Sequence, residues 1–198
     1  MFKHQNLLKL ITLFFFLGLS HLSMADSHGK MTAMKLDNAL SSLSFVSVKK
    51  GSAGEAHHIR KLSGSISTSG ELSVVLDLAS VDTKVEIRDQ RMKEFLFDTA
   101  KHPTATITAN IGNKIPAAGV IMRSGEVTLS MHGASKSLPV NAIIVNTGDK
   151  LVMTSATPII LKAADFGMEA GVKKLQELAK LPSVATAVPV SFALTFSK

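Results

Sequence analysis

Residues 104–111 read T-A-T-I-T-A-N-I. In an extended chain Ala105, Ile107, Ala109 and Ile111 share one side, and Thr104, Thr106 and Thr108 take the other. Period two with a single apolar face marks an antiparallel strand buried on one side and wetted on the other. The alternation recurs in both directions along the chain. Upstream, Leu72, Val74, Leu76 and Leu78 oppose Ser73 and Asp77. Downstream, Val127, Leu129 and Met131 oppose Thr128, Ser130 and His132, and Leu138, Val140, Ala142 and Ile144 follow. Leu151 and Met153 continue the series, and Val190, Phe192, Leu194 and Phe196 end it. Residues 42–48 and 62–67 are weaker strands of the same kind. Turn signals separate the runs at residues 51–54, Ser69-Gly70, residues 111–113, Ser124-Gly125 and residues 147–149. About eight strands at this spacing describe a sandwich or a closed barrel.

Two segments break the alternation. Residues 82–97 (DTKVEIRDQRMKEFLF) carry helix formers and charges, with Asp82 or Thr83 placed to cap the start. Residues 171–181 (GVKKLQELAKL) put Val172, Leu175, Leu178 and Leu181 on one stripe before Pro182 stops the helix. With no internal repeat or linker, residues 26–198 are expected to form one mostly β domain.

The first 25 residues have another character. Lys3 and Lys9 precede an apolar run of ten at 10–19, and Ser23 and Ala25 stand at the −3 and −1 positions of a cleavage site before Asp26. This is the order of a secretory signal peptide, and ten apolar residues are too few to span a bilayer. A periplasmic location is expected. Removing the segment takes away two lysines and no acid from a chain of net charge +7, and four of its ten Phe.

Composition excludes several chemistries. The 198 residues contain no Cys, which removes disulfides, thiolate metal sites and cysteine nucleophiles. They contain no Trp or Tyr, which removes the usual aromatic cages and stacking platforms. The basic residues are scattered, with pairs such as Lys49-Lys50 and Lys173-Lys174 but no longer cluster, so nucleic acid is not an expected partner. His57 and His58 are adjacent, and adjacent strand residues face opposite ways, so they do not share one metal ion. His102 and His132 carry no ligand spacing, and no metal or catalytic residue is expected. Ser47 and Lys50 spell S-x-x-K on an alternating strand rather than at a helix start, without the companion motifs of a serine acyl enzyme. No P-loop, dinucleotide fingerprint, G-x-S-x-G or H-E-x-x-H occurs, and the chain is not expected to be an enzyme. A small barrel either fills with side chains or encloses one elongated ligand, and pattern alone favours the filled form.

An ordered set of motifs adds to this. Ser80-Val81-Asp82-Thr83, Arg88-Asp89, Phe95-Leu96-Phe97-Asp98 and the segment from His102 to Thr106 resemble the core signature of the YceI-like family of secreted lipid-binding proteins. Residues 125–129 (GEVTL) with residues 132–136 (HGASK) resemble its following hairpin, and residues 161–168 (LKAADFGM) resemble a later motif. The resemblance implies an elongated, lipocalin-like antiparallel barrel, with one helix after the middle strand and a second near the C-terminus. It also implies an apolar pore holding the tail of an isoprenoid lipid, a polyprenyl phosphate or a quinone, as ligand rather than cofactor. The residues then expected on the pore wall are Phe45, Leu76, Ile107, Leu129, Met131, Val140, Met153 and Phe192. His57, His58 and Arg60, with Lys61, are candidates for the headgroup, and Arg88 and Asp89 for fixing the helix over a barrel end. Transient contact with a membrane surface is expected of such a carrier. The alternative is a solid-cored structural domain that engages envelope partners. The segment at 45–64, Leu62 where an aromatic is usual, Lys136-Ser137-Leu138 and the helix at 171–181 depart from the family's commoner form.

Overall fold

The computed structural model describes residues 31–198. The expected signal peptide and its cleavage position at Ala25 lie outside them. The described chain forms β1 (Met34–Leu36), β2 (Ser42–Lys49), β3 (Ala53–Ile59), β4 (Leu62–Ile66), β5 (Glu71–Asp77) and β6 (Val81–Asp82). Helix α1 (Glu86–Arg91) follows and runs into a π-helical turn, Met92–Leu96. Then come β7 (Thr104–Asn110), β8 (Gly119–Met131), β9 (Ala134–Asn146), β10 (Lys150–Ser155) and β11 (Ile159–Lys162). Helix α2 (Glu169–Leu178) and β12 (Ala187–Ser197) complete the order.

Twelve strand segments make eight staves. β1 pairs with both β4 and β12, and the ladder β4-β5-β7-β8-β9-β10-β12 closes the ring, antiparallel throughout. β2, β3 and β6 extend the staves begun by β1, β4 and β5, since β3 pairs with β2 on one side and β6 on the other. β11 extends β10 and pairs with β12. The fold is therefore the mostly β, closed antiparallel barrel with two helices that the alternation and the motifs imply.

Local chemistry sets the breaks in these staves. Asp37 accepts from the Ala39 and Leu40 N–H groups at 3.0 and 3.4 Å and starts a 3₁₀ turn between β1 and β2. Asp77 does the same for Ala79 at 3.0 Å between β5 and β6. Between β3 and β4, the Lys61 N–H donates to Ser80 Oγ at 2.9 Å, and the Leu62 N–H donates to Asn38 Oδ1 at 2.6 Å. Side chains at two of the breaks thus accept from the backbone donors of the third.

The up-and-down path puts both helical connections at one end of the barrel, with the β2–β3 and β8–β9 turns. The chain's first described residues and the β4–β5, β7–β8 and β9–β10 connections lie at the other end. The buried residues inside include Ile66, Val74, Ile144, Leu151 and Phe196.

Three local expectations change. The helix expected from Asp82 begins at Glu86 after Val85, with no side-chain cap. Asp82 is held in β6 opposite His58, and its carboxylate is engaged by Lys84 and Arg60. Capping runs backwards instead: Asp89, inside the helix, accepts from the N–H of buried Thr83 at 2.8 Å and from its hydroxyl at 2.5 Å. Second, Ser124-Gly125 is not a turn but the middle of β8, because β8 and β9 pair without interruption from Gly119↔Asn146 to Met131↔Ala134. The turn falls on His132-Gly133, both left-handed at φ 52° and 80°, the conformation a two-residue hairpin requires. Third, the second helix spans Glu169–Leu178 rather than 171–181.

Candidate functional site

The barrel interior encloses a cavity of about 370 Å³. This volume is within the range of pockets that hold small molecules, about 300–1,000 Å³. Its wall follows from period two: inward positions of β5, β7, β8, β9, β10 and β12 are mostly Val, Leu, Ile, Ala, Met and Phe, which do not meet across the barrel axis. All eight residues expected on a pore wall line it, namely Phe45, Leu76, Ile107, Leu129, Met131, Val140, Met153 and Phe192. Phe97 from the π-helical connection, Val172 from α2, and Phe166 and Met168 between β11 and α2 line the helical end. The pattern-only preference for a filled barrel is corrected, because the inward side chains are mostly aliphatic and leave the axis open.

The four headgroup candidates do not form one cluster. His57 stands opposite Phe45 on the inner face of β2 and β3, only 2% exposed, with the two ring centroids 5.2 Å apart. Its Nε2 shares a 2.8 Å hydrogen bond with Ser47 Oγ, while Nδ1 is buried without a partner. Burial, and then the nearby Arg88 guanidinium, hold its pKa below the ordinary imidazole value. His58 and Arg60 point to the other face, beside β6, where Arg60 Nε and Nη2 donate to Asp82 at 2.8 and 2.7 Å. Lys61 is exposed, 3.9 Å from Asp77. Alternation along β3 explains the division: one-residue steps send consecutive side chains to opposite sides of the wall.

Arg88 holds the helical end together. It donates from Nε to Thr83 Oγ1 at 2.9 Å and from Nη2 to the Thr83 carbonyl at 2.7 Å, and Nη1 pairs with Glu55. Lys49 also reaches Glu55, at 2.7 Å, and with Arg88 keeps that carboxyl below its ordinary range. Arg88 therefore ties α1 to Glu55 of β3, and Arg88 and Asp89 both tie it to Thr83 after β6. His102 and His132, far apart in sequence, meet with ring centroids 4.5 Å apart, and His132 Nδ1 lies 3.1 Å from the Phe166 carbonyl. Among the described residues no three His, Asp or Glu side chains gather as metal ligands.

One wall residue was not anticipated from the sequence. Arg123 lies opposite Ala142 in the β8–β9 ladder, so both share the inner face, and both line the cavity. Its Nη1 donates to the Ile111 carbonyl at 2.6 Å. The signal was present but unread: Ile121, Arg123, Gly125 and Val127 continue the inward register of Leu129 and Met131. A turn at Ser124-Gly125 would cut that register, and the unbroken β8–β9 ladder shows there is none.

A YceI-like domain model matches residues 34–196. The chain belongs to the YceI-like family. This member is 34% identical to a polyisoprenoid binding domain from Saccharophagus degradans implicated in plant cell wall breakdown, with a TM-score of 0.81 over 84% of this chain and 99% of that one. It shares its fold with Burkholderia cenocepacia BcnA, at 19% identity and a TM-score of 0.61, over 81% of this chain and 98% of that one. The Campylobacter jejuni YceI protein aligns over 72% of this chain and 84% of its own, at 19% identity and a TM-score of 0.52. Nothing among the curated proteins matches the chain.

Proposed function

We propose that this YceI-like protein binds an isoprenoid lipid in its barrel and carries or sequesters it across the periplasm, without catalysis. The observation that carries the reading is the enclosed apolar cavity, walled by aliphatic and Phe side chains from every stave. Burying apolar groups contributes about 0.8 kcal/mol per methylene-sized unit. Three isoprene units, or about fifteen carbons, offer roughly 12 kcal/mol on that scale, against association costs of about 4–15 kcal/mol. A longer prenyl tail therefore binds with a margin that a short acyl chain lacks. The 34% identical Saccharophagus degradans domain, described as polyisoprenoid binding, supports the same ligand class here. The secretory character of residues 1–25 supports the compartment. Val120 and Met122, 67% and 71% exposed on the outer face of β8, support transient contact with a membrane surface.

Native mass spectrometry of the protein purified from a periplasmic extract tests the reading. A co-purifying adduct of polyprenyl phosphate or prenylquinone mass is expected. A clean apo mass, with no uptake of either lipid from detergent, would overturn it and leave a structural role at the envelope as the alternative.

A further inference from the structure

The barrel wall is not evenly sealed. β5 and β7 pair over seven residues and β8 and β9 over thirteen, whereas β7 and β8 pair only through Thr106↔Ser130, Ile107↔Leu129 and Thr108↔Thr128. Beyond Thr108 the ladder between the two strands ends. Ala109 and Asn110 are laddered only to β5, and Gly119 to Val127 only to β9. The cavity reaches this parting. Its wall there includes consecutive residues of both strands: Asn110 and Ile111 on one side, and Arg123, Ser124, Gly125 and Glu126 on the other. Period two allows only every second residue of an intact strand to face a barrel interior. With Val127 the run on β8 is five in sequence, which marks an unpaired strand edge and so a lateral slot.

Among the described residues three charged ones line the cavity: Arg123, Glu126 and Lys162. Glu126 lies opposite Pro139 on the outward register and accepts from Ser137 Oγ at 2.7 Å. Lys162 follows inward-facing Leu161 and is exposed. Arg123 alone stands on the inward register. It is partly buried, and among the described residues its side chain donates across the slot to the Ile111 carbonyl. No carboxylate pairs with it among the described residues. A guanidinium has five N–H donors, and a neutral carbonyl occupies one without compensating the charge. A cation partly desolvated in an apolar wall is stabilised by an anionic oxygen acceptor that can take two parallel donors.

We propose that the slot between β7 and β8 is the headgroup site of the barrel, with Arg123 binding the phosphate of a polyprenyl phosphate whose tail fills the cavity. This inference rests on the lipid-binding reading above and deepens it. The apolar tail lies against inward residues such as Ile107, Leu129 and Val140, and the phosphate is drawn to the slot, where water reaches it. The opposite, helical end is occupied by Arg88, Glu55, Lys49 and His57 bonded among themselves or to neighbouring side chains, which leaves Arg123 the inward cation without a carboxylate partner.

Three probes with the full mature protein separate the possibilities: decaprenyl phosphate, a quinone carrying the same tail, and squalene, which has no polar head. In Arg123→Gln, affinity for decaprenyl phosphate is expected to fall at least tenfold, affinity for the quinone less, and affinity for squalene to stay unchanged. Arg123→Lys restores part of the loss. Equal losses for all three lipids would reduce Arg123 to a structural tie to Ile111 and overturn the proposal, as would no loss for the phosphate. Failure of all three lipids to bind the wild type overturns the lipid reading itself. A second measurement leaves Arg123 in place. The chain has no Cys, so single nitroxide labels can be attached at Ser124→Cys beside the slot or at Ser52→Cys in the β2–β3 turn. Broadening of the bound lipid's phosphorus resonance from Ser124 and not from Ser52 is expected, and the reverse pattern overturns the assignment.

Discussion

His57 shows how a single residue is set by its position in the barrel. On the inner face beside Phe45 it is kept neutral, because charging it would desolvate an imidazolium next to the Arg88 guanidinium. The sign of the pH effect follows. Above the ordinary value of 6.5, folded and unfolded chains both hold a neutral ring, and its contribution to stability is fully present. As pH falls below that value the unfolded chain takes a proton that the native state refuses. Stability is then lost until the depressed native pKa is reached. Urea unfolding at about pH 7 and pH 5 should show this loss in the wild type and a smaller one in His57→Gln, which keeps a side-chain amide beside Ser47 but does not titrate. An equal pH dependence in the variant would show that His57 is not the group responsible.

Elements are joined at two close contacts at the helical end. Gly171 of α2 lies so near the π-helical turn that an added Cβ would sit 2.4 Å from the Phe95 carbonyl oxygen and 2.9 Å from the Leu96 Cα. Both are backbone atoms and cannot swing away. Gly171→Ala should therefore lower stability by about 1–3 kcal/mol in chemical denaturation, despite the better helix propensity of Ala, worth about 1 kcal/mol. No loss would mean that α2 shifts freely on the barrel. At the second contact Asp89 accepts two hydrogen bonds from Thr83. Asp89→Ala strands the buried Thr83 N–H and should cost about 1–3 kcal/mol, with faster amide exchange at Thr83 and along α1 than in the staves. Uniform exchange across the molecule would contradict a local role.

The molecule as a whole is a closed wall around space, so filling that space should separate function from folding. Val140→Phe together with Ala142→Phe adds bulk to two inward positions of β9, both on the cavity wall. Lipid uptake should fall at least tenfold, while the melting temperature changes little, because the rings enter volume that is already open. Undiminished uptake would place the tail elsewhere. Conversely, a prenyl lipid that binds only the native barrel stabilises it by mass action, by about 2.7 kcal/mol at a hundred times its dissociation constant. For a chain of this size that corresponds to a rise of roughly 5–10 °C in melting temperature. A calorimetric scan with and without lipid measures it, and an unchanged melting temperature at saturating lipid would contradict binding to the native state.

Much of this architecture was written locally. The alternation at 72–78, 104–111, 138–144 and 190–196 specifies strands with one apolar face, since a strand's periodicity is a property of the extended chain itself. The motifs from Ser80 to Met168 carried the family, and the pore that the resemblance implies, set on inward strand faces, named eight side chains that line the cavity. Other features were illegible for physical reasons. β3 reads A-G-E-A-H-H-I, with few apolar residues to announce a face, and is a strand because β2 and β6 flank it. Asp82 resembles a helix cap until β3 captures its backbone. That His57 and His58 face opposite ways was legible, but only pairing with β2 decides that His57 is the inner one. Arg123 looks like surface charge until Ala142 fixes its face. The sequence by itself determined which residues share a face along the alternating strands, because that depends on neighbours one and two positions away. Only the tertiary structure decided that the ring closes, that its centre stays open and that β7 and β8 part beside Arg123. Those outcomes depend on which distant strands pair and where their pairing ends.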